Sequence, residues 1–84
     1  MQMAGWLLAD LHLNGTVRIV FIAHSGGGNE SPITAKNLHT AESEFVTYGL
    51  TPEQAASLRE ELERNKSVRI ETSIEDSMAE TFRR

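Results

Sequence analysis

The pair Asn14-Gly15, set between two runs rich in strand-forming residues, constrains this chain more than any other feature. Asn-Gly is the strongest short-range hairpin signal, because both residues tolerate the left-handed backbone that a tight connection demands. The runs Trp6–Leu13 and Thr16–His24 are then antiparallel neighbours, and the length of the loop decides which residues share a face. A two-residue loop pairs Leu13 with Thr16 and Leu11 with Arg18, which mixes polar and apolar side chains on both faces. A three-residue loop with Gly15 left-handed, the G1-bulge form, pairs His12 with Thr16 and Leu11 with Val17. Asp10 then opposes Arg18, a favourable cross-strand charge pair. On this register Leu7, Ala9, Leu11, Val17, Ile19 and Phe21 lie on one wholly apolar face, which a half-buried antiparallel pair requires. The three-residue loop is the one the pattern selects.

The second face of the hairpin is divided. Near the turn it carries Asp10, His12, Thr16 and Arg18, which suit water; towards the open end it carries Trp6, Leu8, Val20 and Ile22, which do not. Two coverings are open: a C-terminal helix of the same chain, or a symmetric contact with a second copy, two-fold dimers being the commonest assembly. An aromatic anchor beside aliphatic residues suits an interface hot spot.

Beyond the hairpin, Ser25–Ser31 reads as a loop, since three successive glycines carry too high a backbone entropy for a helix or strand. Leu38, Ala41, Phe45 and Tyr48 recur at helical spacing and Gly49 follows as a C′ residue, so a helix is predicted over the second half of Ile33–Tyr48. Ser31-Pro32 and Thr40 are competing starts. Thr51-Pro52-Glu53-Gln54 supplies an N-cap, a first-turn proline, an acid at the positive end of the dipole and a capping-box partner. Ala55, Leu58 and Leu62 form the narrow apolar stripe of that helix. Val68, Ile70 and Thr72 alternate with Arg69 and Glu71, a third strand with one buried face. Ser73 reads as the cap of a last helix whose stripe is Ile74, Met78 and Phe82. The predicted fold is a single α+β domain over residues 1–84, a three-stranded antiparallel sheet in the order ββααβα with helices packed on one face.

With 84 residues and no cysteine, the chain has a small core and no disulfide, zinc-thiolate site or thiol nucleophile. Self-association is the remaining support for a domain of this size. A net charge of −4 opposes general binding to a phosphate backbone, so no nucleic acid is expected as partner. The longest unbroken apolar run, Ile19–Ala23, is far shorter than the ~20 residues that span a bilayer, and no basic segment precedes the first apolar run. The expectation is a soluble cytoplasmic protein without membrane contact.

Chemistry is thinly signalled. Ala23-His24-Ser25-Gly26-Gly27 resembles the A-x-S-x-G nucleophile elbow of some bacterial lipases in the α/β-hydrolase family, over about seven residues that follow a strand. The resemblance implies a serine hydrolase built on Ser25. Three departures oppose it: no helix starts at once after Gly27, the chain is too short for the central parallel sheet, and no aspartate lies between Ser25 and His39, the downstream histidine. The same glycines suit an anion held by backbone N–H groups, with His24, Ser25, Gly26, Gly27, Gly28 and Lys36 as the candidate ligand loop. No Lys-Ser/Thr follows them. His12 and His24 fall at opposite ends of the hairpin, and no metal site or cofactor is expected. Glu60, Glu61 and Glu63 read as the solvated face of a helix, as do Glu42 and Glu44. The residues favour a non-enzymatic protein-interaction or regulatory module, homodimeric or with another protein as partner, whose interface is Trp6, Leu8, Val20 and Ile22. A small-ligand or anion binder is the alternative, and a serine hydrolase the remote one.

Overall fold

A computed structural model describes residues 2–25 and 33–75. Strand β1 (Gln2–Leu11) and β2 (Val17–Ala23) form the hairpin; β3 (Ile33–Ala35), helix α1 (Leu38–Thr47), helix α2 (Pro52–Asn65) and β4 (Ser67–Glu75) follow. The sheet is antiparallel throughout, in the order β3-β2-β1-β4.

The hairpin takes the bulged register. Asp10 opposes Arg18 and Leu11 opposes Val17, the His12 N–H donates to the Thr16 carbonyl at 2.9 Å, and the Gly15 N–H donates to the His12 carbonyl at 2.9 Å. Gly15 holds φ at +91°, a conformation that side chains with a Cβ rarely adopt. Asn14 contributes more than tolerance: its Oδ1 accepts from the Thr16 N–H at 3.1 Å and from the Thr16 hydroxyl at 2.7 Å. Those bonds tie the loop to the first residue after it, in the manner of an Asx turn.

The apolar face is the core. Leu7, Ala9, Val17, Ile19 and Phe21 are at most 1% exposed, and β4 extends the face through Val68, Ile70 and Ile74, opposite Ala9, Leu7 and Met3. Both helices lie on this face and complete the core with Ala41, Phe45, Leu58 and Leu62. Each large side chain buried here contributes about 1.5–3 kcal/mol, so a few such residues supply much of the driving force. Helix α2 begins as its sequence directs: Thr51 accepts from the Gln54 N–H at 3.1 Å and Gln54 Oε1 accepts from the Thr51 N–H at 3.0 Å. Helix α1 starts at neither Ser31 nor Thr40 but on Asn37, whose Oδ1 accepts from the Thr40 N–H at 2.9 Å. The two helices are joined by Arg59, whose Nε lies 2.7 Å from Glu42 Oε1 on α1.

Two features correct the predicted topology. The sheet has four strands rather than three, and the element order is βββααβ over the described residues. The added strand, β3, is three residues long and pairs Val17 with Ala35 and Ile19 with Ile33; so short an element leaves no periodicity to read. At the other end, Ser73 does not cap a helix. Strand β4 runs through it to Glu75, and Ile74 points into the core at 1% exposure. The period-two run Val68, Ile70, Thr72, Ile74 prevails because β1 extends back to Gln2 and offers backbone partners as far as Glu75. The remainder of the helix predicted after Ser73, with Met78 and Phe82, lies outside the described residues.

Candidate functional site

All four predicted interface residues come together on the face of the sheet opposite the helices. Trp6 pairs with Ile22 and Leu8 with Val20, so the four side chains occupy adjacent rungs of the β1–β2 ladder. Trp6, Leu8 and Val20 are half-buried and Ile22 is 44% exposed. Strand alternation dictates this grouping: whatever stands between the core residues Leu7, Ala9, Ile19 and Phe21 points away from the helices.

Strand β4 supplies the polar half of the face. Its register sets Arg69 beside Leu8 and Glu71 beside Trp6. The Arg69 guanidinium stands 4.8 Å from the centroid of the Trp6 ring, within cation–π range. The His24 ring meets Trp6 edge-on, with centroids 5.7 Å apart. His24 Nε2 in turn lies 3.0 Å from Glu71 Oε2. The His24 N–H donates to the Ala4 carbonyl at 2.9 Å, so His24 flanks β1 at its smallest outward residue and reaches across it towards β4. The indole is thus held by contacts from both neighbouring strands, while Ile22 remains open beside it. Nearer the turn the face is charged, with Asp10 opposite Arg18 on one side and Ser67 on the other.

No protein-family model, curated protein sequence or solved structure matches this chain. The face therefore has to be read from its own chemistry. It offers an aromatic anchor, an aliphatic surround and charges of both signs. Among the described residues no group of three His, Asp or Glu side chains could hold a metal ion.

Of the candidate ligand loop, His24, Ser25 and Lys36 are described, and Lys36 stands far from the other two. His24 and Ser25 follow the end of β2 and are exposed, whereas Lys36 follows Ala35, the partner of Val17 at the beginning of β2. At strand rise the two ends of β2 are separated by roughly 20–25 Å. Gly26, Gly27 and Gly28 lie outside the described residues. His39 is likewise at the turn end, not beside His24 or Ser25. It borders a cleft of about 830 Å³ lined by Leu11, His12, Leu13 and Leu38. His12 and His24 stand at opposite ends of the hairpin, as the register requires.

Arg69 and Glu71 belong to the site and were not among its predicted members. Their signal was the alternation of β4, which marks both as outward-facing; that they flank Trp6 depends on β4 pairing with β1 rather than with β2. No helix among the described residues is long and apolar enough to cross a membrane.

Proposed function

We propose that this protein is a non-enzymatic protein-interaction module, with the open face of the sheet as its contact surface and a second copy of the chain as its partner. The observation that carries this reading is the set Trp6, Leu8, Val20 and Ile22, contiguous on a face that no described helix covers. A tryptophan already ordered by Arg69 over its ring and by an edge contact with His24 loses little side-chain freedom on association. On the same face Arg69 and Glu71, with Asp10 and Arg18 below, give a surface of mixed sign, which a two-fold axis can set against itself. Absence of cysteine and the small core add a reason for association to accompany folding.

Sedimentation velocity of the wild type against Trp6→Asp tests the reading. A wild-type assembly that falls in mass in the variant supports it, because an aspartate buried in an apolar contact lacks a partner. A wild type that stays monomeric at micromolar concentration, or an assembly indifferent to the substitution, removes it.

A further inference from the structure

We propose that β4 is a self-pairing edge strand, which joins two copies of the chain into one continuous eight-stranded antiparallel sheet. Among the described residues β4 is hydrogen-bonded on one side only, to β1, and it forms one border of the sheet. It is nine residues long, contains no proline, and carries Val68, Ile70, Thr72 and Ile74 in alternation. Natural edges are usually blunted by shortness, proline, a bulge or charged side chains. Of these β4 carries only charges, among them Arg69 and Glu71, which are of opposite sign, while the opposite border, β3, is three residues long among the described residues. A long edge without proline or bulge, rich in β-branched residues, is the kind of surface that accepts another strand.

The charges of β4 select the occupant and the register. With a two-fold axis through Ile70, perpendicular to the sheet, Arg69 of each copy faces Glu71 of the other, Ile70 meets Ile70, and Val68 meets Thr72. Cross-strand pairs of opposite charge stabilise, and pairs of like charge destabilise. Sliding the register by two residues sets Glu71 against Glu71, or Arg69 against Arg69, so the strand's own charges oppose the neighbouring alignments. A slide by one residue would place helices on both sides of the joined sheet and turn Val68 and Ile70 of one copy to the wrong face. Ile70 adds a second observation. It is half-buried and, with Leu58, borders a hollow of about 290 Å³ between β4 and α2. Contact with the Ile70 of a second copy covers apolar surface there that one chain alone leaves accessible.

This pairing uses the border of the sheet, not its face, and stands without the contact proposed for Trp6. Arg69 and Glu71 also touch the Trp6 cluster, so loss of the dimer on substituting either one alone does not separate the two surfaces; a complementation series does, as does Arg69→Glu read together with Trp6→Asp. In sedimentation velocity of the full chain, Arg69→Glu and Glu71→Arg are each expected to halve the mass of the edge-paired species. An equimolar mixture of the two variants restores both opposite-charge pairs, as does the double swap in one chain, and the dimer is expected to return in both. A wild-type assembly that withstands both single reversals, or a mixture that stays monomeric, overturns the proposal. Disulfide trapping checks the register independently of charge, since the chain has no cysteine of its own. Ile70→Cys is expected to yield a covalent dimer on mild oxidation, and Thr34→Cys on β3 is not. No covalent dimer from Ile70→Cys, or equal cross-linking at both positions, also overturns it. A dimer that survives Trp6→Asp and is lost in Arg69→Glu belongs to the edge; the converse assigns it to the face and removes the edge.

Discussion

At Gly5 the fold leaves no room for a side chain. The residue is buried on the core face, opposite Ala23 on β2 and Thr72 on β4. A Cβ placed there would fall against the Ile22 carbonyl oxygen and only 2.6 Å from Phe21 Cζ. Gly5→Ala is therefore expected to cost about 1–3 kcal/mol through overpacking, seen as a lower urea midpoint with little change in slope. Lys66 presents the opposite case. It caps α2 with φ at +69°, and its carbonyl accepts from the Leu11 N–H at 2.7 Å. A residue with a Cβ is strained in that conformation, so Lys66→Gly is expected to raise stability by about 0.5–1 kcal/mol, measured by the same titration. Gly15 was legible from sequence because Asn-Gly names its own turn. Gly5 and Lys66 were not: the first is demanded by the Ile22 carbonyl and Phe21, neighbours in space alone, and the second carries a residue type that gives no sign of a left-handed cap.

Elements were readable in proportion to the local chemistry that specifies them. Helix α2 carries its start in four consecutive residues, Thr51 to Gln54, and those residues form the reciprocal cap. Thr51→Ala is expected to cost about 1 kcal/mol of the thermal or chemical unfolding free energy, and Thr51→Ser little of it. The hairpin was equally legible, down to its register, because only one of two loop lengths separates apolar from polar residues. Strand β3 was not, since Ile33-Thr34-Ala35 acquires its conformation from Val17 to Ile19 rather than from its own pattern. Strand β4 was legible as far as Thr72. Beyond it Ser73 imitates a helix cap, and the ladder with β1 overrides that local preference.

On the scale of the whole molecule the layers are unequal. Among the described residues one face of the sheet carries both helices and the buried apolar cluster, while the other holds Trp6 among charged and aliphatic neighbours. The division between the faces followed from the hairpin register; the polar half of the open face did not, because it awaited the pairing of β4 with β1. A domain this small that gains stability from a second copy obeys mass action. Its midpoint of thermal unfolding is expected to rise with protein concentration in the wild type, read by calorimetry over a hundredfold dilution. The combined variant Trp6→Asp/Arg69→Glu is expected to remove that dependence while the far-ultraviolet circular dichroism of the folded chain persists. A midpoint independent of concentration in the wild type would count against association by either surface.

Strand β3 gives this arrangement its limit. A sheet with two receptive borders has no natural last member, and each added chain exposes a fresh template for the next. Among the described residues the strand beyond β2 is three residues long and pairs with Val17 to Ile19. Growth through β4 uses up the one long border strand described on each chain and leaves the two short ones outermost. The asymmetry between the borders thus separates a finite assembly from a fibre, and lengthening β3 is the change most apt to convert one into the other.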